Sequence, residues 1–261
     1  LLEFGDMRSV AYVDPDLLAR VVTFLEGRQN IDGSWIAEGY YTGDGSVALD
    51  GSLAATAYIA WGLADAGYAD GSAVRAAVDY LQANVRDLPN QSGAQSGDQT
   101  GRPDGDKPTA NPPTAGTGAP PPPNQETGGF QPASPLGVPP YATPTPVTLS
   151  PQPISSYTLA LIANALVAAG EDAAPVLDEL AARAQRGGEG ERAWAYWPAG
   201  TETYLGSYGD PATIETTALA AQALQRSGAY PDLAQGALDY LIAHRDSRGS
   251  FYTTQATVQA L

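Results

Sequence analysis

Residues 21–35 read VVTFLEGRQNIDGSW, and residues 237–251 read ALDYLIAHRDSRGSF. Both stretches carry an aromatic–Leu pair, then Gln or Arg, then glycine, then a second aromatic, at identical spacings. The matching positions are Phe24, Leu25, Gln29, Gly33 and Trp35 in the first copy and Tyr240, Leu241, Arg245, Gly249 and Phe251 in the second.

We interpret each copy of the phrase as the end of a helix. The aromatic–Leu pair faces the core, and the long polar side chain caps the free helix carbonyls. Glycine permits the turn, and the last aromatic folds back as a plug. A repeated helix end predicts a repeat architecture.

A second pattern repeats between the two copies. Three alanine-rich segments place leucine and then glycine at fixed offsets: Thr56–Leu63–Gly67, Leu159–Leu166–Gly170 and Thr217–Leu224–Gly228. A fourth copy begins at Thr253. The glycine lies where a helix ends in the left-handed region. Because these segments are apolar nearly all round, they are predicted to be buried inner helices. More amphipathic segments around 72–84, 174–186 and 231–245 are predicted to form an outer layer. Leu63, Leu166 and Leu224 are expected to share one core.

Helix starts are also predicted. Asp14-Pro15 and Asp210-Pro211 each read as an N-cap followed by proline at the first helical position. Ser155 or Ser156 is expected to cap the helix that ends near Gly170.

The segment 90–153 interrupts the repeat. It holds most of the 22 prolines and is rich in Gly, Thr, Ser and Gln. Because such a composition buries little apolar surface, we predict an inserted loop with polyproline character. Leu63 and Leu166 are 103 residues apart and Leu166 and Leu224 are 58 apart, and an insertion within this segment would account for the excess of 45 residues. The loop is therefore expected to lie within one repeat, so that 1–261 remains a single domain.

Charge and composition exclude several kinds of function. The net charge is −16, with 13 Lys and Arg, which argues against nucleic-acid binding. The absence of cysteine excludes disulfides, thiolate catalysis and cysteine metal sites in this sequence. No run of apolar residues is long enough for a membrane span. We expect no cofactor, no metal and no catalytic residue.

The repeated phrase resembles the QW-type repeat of the α/α toroid proteins, which include terpene cyclases, prenyltransferases and the thioester domains of complement and α2-macroglobulin proteins. RGSFYTTQATVQAL (248–261) resembles a helix start of the macroglobulin and complement thioester domain. AWAYWP (193–198), ATIETTALAAQAL (212–224) and SYTLALIANALVAAG (156–170) resemble the same domain in the same order. The resemblance implies an all-α fold, a partial α/α toroid of inner and outer helix pairs.

The resemblance also implies a function. The parent would be a bacterial α2-macroglobulin-like protein, an extracytoplasmic endopeptidase inhibitor that traps proteases, and this segment its non-catalytic scaffold. Its partners would be the other domains of the parent and, through the parent, target proteases. The family's internal thioester needs a cysteine, which this sequence lacks. Aligned by its repeats, the chain is expected to begin after the family's thioester motif and to end inside an inner helix.

By the same resemblance, the stretch after Trp35 is expected to form part of the wall of the family's thioester pocket. Tyr40, Tyr41, Thr42 and Asp44 occupy it, and no histidine does. By resemblance, a thioester in the parent would be of the direct, amine-preferring type. His244, the only histidine, is expected to be a surface or capping residue near a helix C-terminus.

A carbohydrate-active toroid enzyme, a glycosidase or lyase, is the alternative. Its two carboxylates would come from Glu38, Asp44, Asp50 and Glu215, with Trp and Tyr stacking on sugars. Asp50 and Glu215 are each also expected in the first turn of a helix, where the helix dipole favours a carboxylate whether or not it is catalytic.

The centre of the toroid distinguishes a glycosidase from a macroglobulin-type domain. A glycosidase needs an open cleft with facing acids, whereas a macroglobulin-type domain needs small residues such as Ala54, Ala160 and Ala220 closing it. The cyclase acid motif and the zinc ligands of prenyltransferases are absent from the sequence.

Overall fold

The computed structural model describes residues 11–36, 47–86, 149–150, 153–188, 194–200, 202–204, 206–247 and 249–260. The helices are α1 (Pro15–Glu26), α2 (Leu49–Leu63), α3 (Ser72–Val85), α4 (Ser156–Ala169), α5 (Ala174–Arg183), α6 (Gly209–Ser227), α7 (Pro231–Ala243) and α8 (Thr254–Ala260). A π-helical turn, Ala64–Tyr68, continues α2. The short strands are β1 (Val47–Ala48), β2 (Leu149–Ser150), β3 (Gln185–Gly187) and β4 (Trp194–Tyr196).

The inner helices pack side by side. Helix α4 lies between α2 and α6, and α8 packs on the other side of α6. Every residue of α4 from Tyr157 to Leu166 is buried, because its alanines let the neighbouring helices approach it closely. Leu63, Leu166 and Leu224 belong to one hydrophobic core, as the repeat predicted.

The outer helices each cover the inner helix that precedes them. Helix α3 packs on α2, α5 on α4 and α7 on α6. Their burial is one-sided, as in α7, where Leu233, Ala237 and Leu241 face inward while Ile242 is exposed. The chain therefore has the all-α fold of inner and outer helix pairs that the resemblance implied.

Two small sheets join the helices. β1 and β2 pair in parallel, Val47 with Leu149, and so tie the starts of α2 and α4 together. β3 and β4 form an antiparallel hairpin, with Gln185 opposite Tyr196. Helix α5 was expected to run to about 186, but it ends at Arg183, since Gln185–Gly187 pairs with β4 instead.

Most helix ends were predicted correctly. Asp14 caps α1 through its side chain, and Ser155 caps α4 by accepting the N–H of Thr158 at 3.1 Å. Gly170 and Gly228 end their helices in the left-handed region. The prediction for α6 was wrong, because the helix begins at Gly209 and Asp210 lies inside its first turn.

The described residues all belong to one compact unit, formed by chain segments Leu1–Gln95 and Pro146–Leu261. The expected insert, 90–153, lies outside the described residues except for 149–150 and Pro153. Within the described ranges, no helix has the length and apolar character needed to cross a bilayer.

Candidate functional site

The closing aromatics Trp35 and Phe251 are buried plugs. Trp35 is 3% exposed, and its ring Nε1 donates to the carbonyl of Leu25 at 2.8 Å. Phe251 is 2% exposed and packs in one cluster with Tyr240 and Leu241. Each plug thus closes onto the outer helix that precedes it, as the repeated phrase predicted.

Phe24 does not face the core, and this part of the prediction was wrong. Its side chain is 57% exposed, and the Arg28 guanidinium lies 4.7 Å from its ring centre. The buried face of α1 is set by Leu18 and Val22, one turn apart. Phe24 follows Val22 by two residues and therefore points to the opposite side of the helix. Its counterpart Tyr240 is buried.

Tyr240 is buried because the β3–β4 hairpin covers it. The ring of Tyr196 stacks on it at 4.9 Å between centroids, and Trp194 meets it edge-on at 6.4 Å. The imidazole of His244 also stacks on Tyr240, at 3.9 Å between centroids. Among the described residues, a hairpin covers the aromatic–Leu pair of the second copy alone, which accounts for the burial of Tyr240.

Gln29 and Arg245 were expected to cap the helices that precede them, but in the structure they do not. Gln29 Nε2 donates to the carbonyl of Gly33 at 2.9 Å and to that of Ala73 at 2.8 Å, so it joins the turn to the start of α3. Arg245 lies against Gly249. The cap of α7 is His244, whose Nδ1 lies 2.8 Å from the Tyr240 carbonyl. His244 is therefore a half-buried capping residue.

Trp197 forms a third plug, which lies outside the two copies of the repeated phrase. Its backbone N–H donates to Thr217 Oγ1 at 3.1 Å, and its Nε1 donates to the Leu180 carbonyl at 2.7 Å. Trp35 makes the same two bonds, to Thr56 Oγ1 at 2.9 Å and to Leu25. Both threonines occupy the repeat position that precedes leucine by seven residues, which is the signal that could have identified Trp197.

Among the described parts of the chain, a turn of the same kind recurs at 30–34 (NIDGS), 203–207 (TYLGS) and 246–250 (DSRGS). In each, the first N–H donates to the carbonyl of the last residue, at 2.9, 2.8 and 3.0 Å respectively, and the glycine N–H donates to the first carbonyl. The first and third turns lead directly into plugs. The middle turn leads into Tyr208, which is 77% exposed, since Trp197 already fills the plug position.

The middle turn faces a buried carboxyl group. Glu215 is 0% exposed, and its Oε2 accepts the Thr203 hydroxyl at 3.1 Å. Burial raises the pKa of Glu215, and hydrogen bonding from the hydroxyls of Ser207, Thr203 and Tyr157 opposes that rise. Glu215 was expected in the first turn of its helix, but α6 begins at Gly209, so it lies in the second turn.

The two described carboxylates of the alternative enzyme are both engaged in hydrogen bonds within the fold. Asp50 Oδ1 accepts the backbone N–H of Ser155 at 2.8 Å, and Glu215 is sealed beneath the middle turn. Ala54, Ala160 and Ala220 are buried, which is the arrangement expected of a macroglobulin-type domain. The other two acids, Glu38 and Asp44, lie outside the described residues.

The expected pocket wall, Tyr40, Tyr41, Thr42 and Asp44, also lies outside the described residues. In the part of the chain that the structure does describe, no group of three or more His, Asp or Glu side chains is placed to hold a metal ion. Of the repeat-signature residues, Gly33 and Gly249 lie within the plug-forming turns, and Gln29 and Arg245 immediately precede them.

Comparison with known proteins identifies a family that matches part of the chain. Residues 149–261 match the family model described as A-macroglobulin TED domain, where TED stands for the thioester domain. The comparison with curated proteins found no match. The matched segment contains the second and third plugs, the middle turn and helices α4 to α8. Residues 149–261 are therefore a thioester-domain region of the A-macroglobulin family.

Proposed function

We propose that this chain is a non-catalytic scaffold segment of a larger macroglobulin-like protein, and that the parent is an endopeptidase inhibitor that traps proteases. The family match over residues 149–261 carries the proposal. The same residues contain two plugs bonded to inner-helix threonines, Trp197 to Thr217 and Phe251 to Thr257. Their side chains serve packing, which fits a scaffold.

The positions of the described acids favour a scaffold over a glycosidase. A glycosidase needs two carboxyl groups on opposite sides of a substrate-sized space. Asp50 is bonded to a backbone N–H and Glu215 is inaccessible to solvent. A sugar could not reach Glu215 unless the Thr203–Ser207 turn moved away.

The family suggests the partners and location. The partners of the segment are the other domains of the parent, and target proteases meet it through the parent. Proteolysis of a bait region elsewhere would rearrange those domains. The location is extracytoplasmic, and the parent is of the bacterial type. Tyr40, Tyr41, Thr42 and Asp44 remain the proposed wall of a thioester pocket whose cysteine another part of the parent would supply.

The trap is tested on the complete polypeptide that contains this chain. It is incubated with a panel of endopeptidases, and the cleavage of a protein substrate and of a short peptide substrate is then measured. A trapped protease loses activity on the protein but keeps it on the peptide, because only small molecules reach its active site. Equal loss on both substrates, or no loss on either, contradicts the proposal.

The scaffold role has a separate test. The 261-residue chain is incubated with a panel of polysaccharides and reducing ends are measured, alongside the variant Glu215→Gln. The proposal expects the same background from both proteins. Hydrolysis that Glu215→Gln abolishes would establish the carbohydrate-active alternative.

A further inference from the structure

Consecutive inner helices are joined by a polar contact that occurs at two of their interfaces. Asn164 of α4 donates from Nδ2 to the Leu219 carbonyl of α6 at 2.9 Å. Gln222 of α6 donates from Nε2 to the Gln259 carbonyl of α8, also at 2.9 Å. In each case a side-chain amide of one helix is bonded to the backbone of the next. We call these two contacts the amide rungs.

The two rungs occupy equivalent positions in the repeat. Each donor follows the repeat residue of its own helix, Leu159 or Thr217, by five positions. Each acceptor follows the plug-bonding threonine of its own helix, Thr217 or Thr257, by two positions. Because both ends of the contact recur at fixed offsets, the rungs are two copies of one element.

Asn164 is present at a cost to stability. The residue is 0% exposed, and its Oδ1 is buried without a hydrogen-bond partner among the described residues. A buried polar atom that lacks a partner is unfavourable. Turning the amide over would not help, because its oxygen would then face the carbonyls of Ala160 and Leu219, which now accept Nδ2. The contribution of Asn164 is therefore something other than added stability.

Apolar packing alone defines the alignment of α4 and α6 poorly. Both helices are rich in alanine, and four alanines of their shared core are 0% exposed: Ala160, Ala163, Ala220 and Ala223. Small side chains of one size pack almost equally well after a shift of one helical turn, about 5.4 Å along the axis. A buried asparagine between two helices is a known solution, since it specifies their register at a cost in stability.

We propose that the amide rungs fix the register of the inner layer, Asn164 aligning α4 with α6 and Gln222 aligning α6 with α8. A polar group that finds a carbonyl in only one alignment makes every other alignment unfavourable, because the amide would then be buried without an acceptor. The cost of the unpartnered Oδ1 is offset by this gain in specificity.

The remaining inner interface, between α2 and α4, is aligned in another way. Trp61 stands at the donor position of α2, and its Nε1 donates to Asp65 in the turn that continues the same helix. The starts of α2 and α4 are joined instead by the β1–β2 pair and by Asp50, whose Oδ1 accepts the N–H of Ser155. Where the rung position holds another residue type, the described structure thus has a different polar contact between the helices.

A second polar contact joins α4 and α6 and supplies a control. The hydroxyl of Tyr157, at the start of α4, bonds the carboxyl group of Glu215 in α6. Tyr157→Phe removes that bond and leaves the rung intact. Asn84→Leu is a further control, because Asn84 Nδ2 bonds the Tyr80 carbonyl one turn earlier in its own helix and joins no second helix.

The experiment compares methyl NMR spectra of the 261-residue chain with carbon-13 in its alanine methyl groups. The reporters are Ala160, Ala163, Ala220 and Ala223. Asn164→Leu keeps the branching of the side chain but has no polar atom, so we expect at least two signals for each reporter, one for each alignment. Wild type, Tyr157→Phe and Asn84→Leu should give one signal for each.

Further variants cover the other outcomes. If Asn164→Leu does not fold, Asn164→Ala decides on the same signals, because it removes the amide without adding volume. Gln222→Leu should split the signal of the buried Ala256 in α8 and leave that of Ala160 single. Single signals in the Asn164 variant, with a lower melting temperature, would show that the residue only adds stability. That result, equal splitting in Tyr157→Phe, or an unsplit Ala256 in Gln222→Leu overturns the proposal.

Discussion

Thr56 Oγ1 accepts the backbone N–H of Trp35 at 2.9 Å and lies 3.3 Å from the carbonyl oxygen of the same residue, to which it donates. One side-chain hydroxyl of an inner helix thus satisfies both backbone groups of a buried plug. Thr217 and Thr257 accept the N–H groups of the other two plugs, Trp197 and Phe251. These three inner-helix threonines therefore let a loop enter the core without losing its backbone hydrogen bonds.

Replacing Thr56 or Thr217 by valine should destabilise the chain by about 1–3 kcal/mol, because a buried backbone N–H loses its acceptor. Thr23→Val is the matched control, since its hydroxyl also bonds a backbone carbonyl but the residue is exposed. Chemical denaturation measures the free energy of unfolding. If the core variants unfold with the same free energy as Thr23→Val, the threonines do not support the plugs.

Truncating a plug should cost more than truncating an exposed aromatic of the same repeat. Trp35→Ala and Trp197→Ala each remove a buried ring and leave a cavity, which typically costs about 3–5 kcal/mol. Phe24→Ala is the exposed control, and His244→Ala, which removes a half-buried cap, should fall between them. Urea denaturation of the four variants gives the ranking. A loss in Phe24→Ala as large as in Trp35→Ala would contradict it.

The glycine of the turn should be less replaceable than the glycine of a helix end. Gly33 has φ +87°, and an added Cβ would lie 2.1 Å from the Ala76 carbonyl oxygen. Gly170 has φ +73°, but an added Cβ would meet nothing within 4 Å. Gly170→Ala should therefore cost only the strain of holding alanine in the left-handed conformation, about 1–2 kcal/mol of stability. Gly33→Ala should cost more, because α3 must also shift. Equal thermal shifts in the two variants would contradict this expectation.

Much of the fold could be predicted because the repeat is local. The spacing of leucine and glycine in each inner helix follows from helical geometry alone, so Leu63, Leu166 and Leu224 were placed in one core from the sequence. The orientation of Phe24 and Tyr240 could not be predicted in the same way. It depends on whether the β3–β4 hairpin covers the outer helix, and the hairpin belongs to a different part of the chain.

The candidate site was harder to predict, since its residues are far apart in the sequence or lack a distinctive type. Trp197 stands eleven residues before Tyr208, so the plug and the turn of the middle repeat no longer form one phrase. In the sequence, Glu215 resembles an ordinary acid near the start of a helix. Only the folded structure shows that the Thr203–Ser207 turn is bonded to it.

Glu215 should make the free energy of unfolding of the chain depend on pH. A carboxyl group whose pKa is raised by folding contributes stability that is complete below the ordinary value of 4.5 and is lost as pH rises through the pKa of the folded state. Glu215→Gln lacks this loss, so its stability relative to wild type should increase from pH 4 to pH 8. Denaturation of both proteins at each pH gives the difference, and Glu202→Gln controls for removing an acid from the surface. A difference that is flat, or that falls with pH, would show that folding does not raise the pKa.

The last prediction concerns the ends of two inner helices. Arg226 at the end of α6 reaches Asp65 in the π-helical turn after α2, with Nη1 3.0 Å from Oδ2, and Trp61 Nε1 donates to the same oxygen at 2.7 Å. α4 lies between the two helices, so the pair joins the first and third members of the inner layer. Exposed ion pairs contribute about 0–1 kcal/mol to stability. This pair is bidentate and its carboxylate also accepts the indole N–H, so its contribution should lie at the upper end of that range.

A double-mutant cycle with Asp65→Asn and Arg226→Met isolates the coupling energy of the pair. We expect 1 M salt to weaken it, because the pair is partly exposed. The pair Glu179–Arg183, one turn apart within α5, is the control, since it joins no two helices. A coupling energy at Asp65–Arg226 no larger than that of the control would mean that packing alone joins the ends of α2 and α6.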